Sequence, residues 1–189
     1  MSYFKKLVGE KCYLSPIRME DAEIYTKWFN DMEMVLYVAP HPSVISLFKE
    51  KEFIENQLKS GAPIFGIIDI KTDKIIGNTS LMDINQINGT ATLGIVIGEK
   101  DYWDKGYGTE AVKLILDYGF NILNLHNIML CVFDFNKRAV ASYKKIGFKE
   151  IGIRREDRLI ARHRHNSVFM DILATEFESP FIKGIADKL

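Results

Sequence analysis

The chain has little cysteine: Cys12 and Cys131 are the only two among 189 residues. Their separation offers neither a disulfide framework nor the spacing of a metal or redox site. Cys131 falls in an apolar stretch, where a buried, reduced thiol is expected. No apolar run approaches the ~20 residues that cross a membrane. The N-terminal Met1-Ser2-Tyr3-Phe4-Lys5-Lys6 lacks the apolar core of a signal peptide. Neither sign of charge is in excess, because 25 Lys and Arg stand against 25 Asp and Glu. That balance argues against a dedicated nucleic-acid or membrane-surface protein. Internal repeats, low-complexity tracts and linkers are also missing. The absences together leave the expectation of a cytoplasmic protein forming one domain over 1–189. Its length supports a full core, and its 47% hydrophobic and 26% charged content is ordinary for such a domain.

What the chain does carry is clear periodicity. Residues 11–14 predict a short strand, which Ser15-Pro16 is expected to break. Residues 21–30 predict a helix, with Ala22, Ile24, Tyr25, Trp28 and Phe29 on one stripe. Pro40 and Pro42 exclude a long helix between Val35 and Ser46. Residues 49–59 predict another helix, stopped by Gly61. Three strands follow, over 64–70, 75–84 and 90–97, joined by polar turns as an antiparallel meander. Residues 109–123 predict a strong helix. Its inner face holds Ala111, Leu114, Ile115, Tyr118 and Ile122; its outer face holds Glu110, Lys113, Asp117 and Asn121. Residues 128–133 read as a strand buried on both faces. Asn136 is placed to cap a short helix ending before Gly147. Strands over 148–153 and 167–173 close the pattern. The succession strand, helix, strand, helix, strand implies an α/β (α+β) domain. A parallel pair would sit inside a mixed sheet, with helices on both faces.

The chemistry concentrates in Trp103-Asp104-Lys105-Gly106-Tyr107-Gly108-Thr109-Glu110-Ala111. Two glycines a residue apart let backbone amides approach a ligand that side chains would exclude. At a helix N-terminus such amides favour an anion, above all a phosphate. Lys105 adds a positive charge. A nucleoside-triphosphate loop would end in Gly-Lys-Ser/Thr, which is missing here. Gly106-x-Gly108-x-x-Ala111 matches the dinucleotide fingerprint, but that fingerprint turns directly from strand to helix. Here Gly98 to Lys105 intervene. A tight helix entry without a ligand is the plainer alternative.

Further pieces stand in order along the chain: Leu14-Ser15-Pro16-Ile17, Ile76-Gly77, Leu93-Gly94-Ile95, Leu123-Asn124-Leu125-His126, and the stretch from Asn136 through Tyr143 to Gly147-Phe148. With the glycine stretch, they resemble the GNAT superfamily of acyl-CoA-dependent N-acyltransferases, in its RimJ/RimL-type and spermidine N-acetyltransferase-like branch. The resemblance spans about residues 10 to 175. It implies a single GNAT-like domain whose parallel strand pair diverges, with acetyl-CoA as co-substrate and no metal. The diphosphate would lie on the amides of Asp104, Lys105, Gly106, Tyr107, Gly108 and Thr109. Ile95, Val96 and Ile97 would bond the pantetheine arm, with an amide near Ile95 or Val96 as oxyanion donor. Tyr143 occupies the position of the proton donor to the leaving sulfur, and Asn136 that of a cofactor contact.

The resemblance is incomplete where a base is needed. Many relatives carry Glu two residues before the glycine of the third meander strand; here that residue is Thr92. Glu33, Asp31 and Asp83 are candidate bases or substrate contacts, and water is another. His126 reads as a connecting-turn residue. Arg154, Arg155, Arg158, Arg162 and Arg164 read as a solvated hairpin paired locally with Glu156 and Asp157; RNA contact is disfavoured. Ala161 and Asn166 stand where Gly and Asp are common. The implied activity is acetyl transfer to a protein N-terminus, polyamine, amino sugar or antibiotic. A polyamine site would need clustered carboxylates, for which Glu33, Glu50, Glu52 and Glu55 are candidates. A non-catalytic acyl-CoA sensor is the alternative, and a homodimer stays open.

Overall fold

The computed structural model describes residues 3–38, 44–179 and 181–186. Eight strands form a mixed α/β sheet in the order β1-β2-β3-β4-β5-β6-β8-β7. They are β1 Leu7–Val8, β2 Cys12–Pro16, β3 Ile64–Asp69, β4 Ile75–Asn85, β5 Thr90–Ile97, β6 Asn127–Phe133, β7 Lys149–Ile160 and β8 His163–Leu173. The helices are α1 Ala22–Phe29, α2 Met32–Val35, α3 Leu47–Ser60, α4 Tyr107–Asn121, α5 Lys137–Ile146 and α6 Lys183–Ala186. No described helix is long and apolar enough to cross a membrane. The chain divides into two compact units, one of Met1–Ser80 with Ile95–Ala111, the other of Leu81–Gly94 with Val112–Leu189.

In the first unit β2 pairs antiparallel with β3, and β3 with β4. Ile17, Ala22, Tyr25, Trp28, Met34, Val35 and Ile54 form its helical core. The apolar stripe of α1 meets α3 there. Ser46 caps α3 by accepting from the Lys49 amide, and Gly61 ends it at φ 66°. Trp28 lies flat on Gly98, where a Cβ would come 2.0 Å from the indole, and donates to Glu99 (2.8 Å). Ser15-Pro16 does not break the first strand, because β2 runs through both residues. Ser15 opposes Gly66 in the ladder, and proline takes the last position, where a missing N–H costs least. Of the segment expected to be irregular, its start is helical in α2, capped by Asp31. Pro40 and Pro42 lie outside the described residues.

In the second unit the parallel register takes in Thr90–Thr92 and Asn127–Met129 only. Beyond that register β6 continues to Phe133 against β8. Val112, Leu114, Ile115 and Leu116 of α4 are fully buried. Gly119 lets the helix approach β6: a Cβ there would meet Ile128 at 2.7 Å.

Three expectations fail in this unit. Asp117 is fully buried rather than outward. It accepts from the Ser179 hydroxyl (2.6 Å) and from the Phe181 and Ile182 amides (2.9 and 3.0 Å), which replace water around its carboxylate. Ile122 lies beyond the end of α4 and is exposed. Cys131 is exposed, so β6 is not buried on both faces. The closing strands β7 and β8 are also longer than expected, because they carry the whole arginine-rich stretch as a hairpin.

Candidate active site

The glycine stretch forms a turn that opens α4 at Tyr107, two residues before the predicted start. Asp104 (φ 57°) and Gly106 (φ 85°) both take left-handed conformations, and the Glu110 amide makes its helical bond to Gly106 (3.0 Å). A short 3-10 turn, Lys100–Tyr102, fills the gap after β5 that separated this loop from a dinucleotide fingerprint. A Cβ on Gly106 would meet only the Lys11 side chain at 3.6 Å, and one on Gly108 only Ile97 at 3.6 Å. The protein therefore does not pack into the space before these glycines. That open space in front of a helix N-terminus fits a bulky anion such as a diphosphate. Lys105 is exposed, and Thr109 follows in the first helical turn. Tyr107 is anchored by donating to Asp69 (2.9 Å). Its pKa is pushed up to about 12 by burial and by that bond. Burial pushes the Asp69 carboxyl upward, yet bonds from Thr72 and Tyr107 hold it below its ordinary value.

β5 presents its backbone in alternating directions. The Gly98 amide donates to Ile76 (2.9 Å), so it points toward β4. By the two-residue alternation Val96 points the same way, while Ile95 and Ile97 point away from β4. The Ile97 carbonyl already accepts from the Trp103 indole (2.7 Å). Of the two residues considered as oxyanion donors, Ile95 has the amide directed away from β4. The Val96 side chain instead packs against the helical core.

Asn136 is buried and caps α5, accepting from the Ala139 amide (3.2 Å). Tyr143, two turns further along α5, is half-buried and meets the Phe148 ring at 5.7 Å. Burial pushes its pKa up to about 12. Beside Asn136 lies a polar cluster that sequence reasoning did not find. Asp134 accepts from Asn166 (2.7 Å), and His165 Nδ1 lies 3.8 Å from its other oxygen. The groups come from β8 and the end of β6, so no local pattern announces them.

The candidate bases are differently committed. Asp31 and Glu33 both pair with the Lys100 ammonium (2.7 and 2.6 Å). Hydrogen bonding to Lys100 holds the Asp31 carboxyl below its ordinary value, which weakens it as a proton acceptor. Asp83 is exposed near the end of β4, in a left-handed conformation at φ 51°. Of the proposed polyamine carboxylates, Glu50 is buried, Glu52 is exposed, Glu55 pairs with Lys59 (2.5 Å) and Glu33 with Lys100. A cavity of about 160 Å³ does occur beside Trp28, lined by Lys27, Asp31, Gly98, Glu99, Lys100 and Asp101. His126 joins elements as expected, its amide donating to Gly89 (2.6 Å) and its carbonyl accepting from Ala174 (2.8 Å). The arginine hairpin turns at Ala161 and Arg162, both left-handed. Arg154 and Arg158 pair locally with Asp157 (3.8 and 3.6 Å), whereas Arg164 uses the Glu156 carbonyl rather than its carboxylate.

The family profile described as an acetyltransferase (GNAT) domain matches residues 11–149. The chain belongs to this family and is an N-acetyltransferase. It is 31% identical to the uncharacterized N-acetyltransferase p20 of Bacillus licheniformis over 153 residues, covering 79% of this chain and 85% of that one. With the spermidine N(1)-acetyltransferase of Escherichia coli K12 it shares 26% identity, covering 87% of each. Among solved structures, the spermidine N-acetyltransferase of Vibrio cholerae in complex with CoA and spermine superposes with a TM-score of 0.80 at 27% identity. That match covers 89% of this chain and 98% of the other.

Proposed function

We propose that the protein transfers an acetyl group from acetyl-CoA directly to a primary amine, with a polyamine as the first acceptor to test. The observation that carries this reading is the left-handed turn at Asp104 and Gly106 leading into α4, with the space before its glycines left open. Acetyl-CoA supplies the acyl group as a thioester. The amides of residues 104–109 hold its diphosphate, and the Ile95 amide donates to the thioester oxygen as charge develops on it. Asn136 contacts the pantetheine arm while capping α5. The neutral amine attacks the carbonyl carbon, the carbon–sulfur bond breaks, and Tyr143 gives its proton to the departing thiolate; the proton lost from the amine nitrogen passes to water, from which the Tyr143 phenolate regains one. A tyrosine with its pKa raised to about 12 holds that proton throughout the neutral range. The relatives named for spermidine favour a polyamine.

Calorimetry with acetyl-CoA, combined with CoA release across spermidine, aminoglycosides and peptides with free N-termini, tests the reading. Binding with release for one amine is the expected result. Binding without release for any amine would favour the sensor. Tyr143→Phe should cut turnover about 100-fold or more while CoA affinity stays unchanged. Unaltered turnover would remove Tyr143 from the mechanism.

A further inference from the structure

The first turn of α4 grips a segment nearly a hundred residues away. The Glu110 carboxylate accepts from the backbone amides of Glu10, Lys11 and Cys12, each at 2.8 Å. Gly9 completes the fit, since a Cβ there would sit 2.6 Å from the Glu110 carboxyl carbon. One carboxylate thus fastens the β1–β2 turn to the glycine turn. The fastening brings Lys11 alongside: its Cε lies 3.6 Å from the position of a Cβ on Gly106. Its ammonium lies over the Tyr107 ring, 5.9 Å from the centroid. Lys11 is exposed and forms no ion pair with a carboxylate among the described residues. Glu110 is occupied by three amides, and Asp69 by Thr72 and Tyr107.

We propose that Lys11 is a phosphate-binding residue of the cofactor site, its ammonium leaving the Tyr107 ring to pair with the diphosphate at the glycine turn. The inference rests on the reading of that turn given above. Lys11 comes from the other end of the sequence, whereas Lys105 lies within the turn itself. The position of Lys11 beside Gly106 selects the diphosphate rather than the ribose 3′-phosphate of CoA. A flexible lysine acts there as a point charge beside the directional amides.

Calorimetry on the full chain with CoA, dephospho-CoA and pantetheine separates the outcomes. Lys11→Gln is expected to weaken CoA and dephospho-CoA alike by about tenfold, within the range for a charge-assisted bond. Pantetheine affinity should stay unchanged, and Lys11→Arg should restore CoA binding. Equal CoA affinity in wild type and Lys11→Gln would overturn the inference. So would a loss confined to CoA, which would assign Lys11 to the 3′-phosphate, or a loss that extends to pantetheine. A wild-type chain that binds no CoA would instead sink the reading of the turn itself.

Discussion

A tyrosine donates a proton only while it holds one, and Tyr143 holds its own throughout the neutral range. Burial pushes its pKa up to about 12, well above the ordinary value. The same reasoning separates the two thiols. Cys12 is buried, and burial with the nearby Glu110 charge pushes its pKa up. Cys131 is exposed on β6. Thiolate fraction and access both govern reactivity, so one thiol per native chain should react with maleimide, at Cys131, and two after unfolding. Peptide mapping of the adduct checks this; native labelling at Cys12 would contradict it. The apolar stretch and the burial habit of cysteine favoured burial at position 131. Which face of a strand a residue takes depends on what packs there, and β6 leaves Cys131 exposed while Phe133, two residues on, is buried.

At the scale of elements, α4 shows what periodicity carries and what it does not. The inner stripe was legible because apolar residues recur at helical spacing. The roles of Glu110 and Asp117 were not, because their partners lie about 60 to 100 residues away. Both looked like solvated charges; each is a clamp on distant backbone. Asn136 was legible as a cap because capping is local, and the same holds for Gly61 and Gly147. The predictions follow the same division. Asp117→Ala removes the acceptor that holds Ser179, Phe181 and Ile182. Trypsin should then cut after Lys183 sooner than in wild type, while the remainder of the chain resists as before. Equal cutting rates would mean that the segment is held by other contacts.

At the scale of the whole molecule, formal charge is balanced, so alkaline stability is decided by groups whose folded and unfolded pKa values differ most. Tyr107 and Tyr143 are both pushed up to about 12 from an ordinary value of 10.0. Tyr3, Tyr13 and Tyr25 are raised as well, each chiefly by burial. A raised folded pKa means that the native state keeps a proton the unfolded chain has lost. Stability from these tyrosines is therefore complete below pH 10 and is lost as pH climbs from 10 through 12. The denaturant midpoint should hold steady on approaching pH 10 and then fall, with the tyrosinate absorbance of these five residues appearing as the chain unfolds. Tyr107→Phe removes one of these linked protons together with the bond to Asp69. It should lower stability at neutral pH and flatten the decline above pH 10. A decline as steep as that of wild type would show that Tyr107 titrates alike in both states, and would remove it from the alkaline transition.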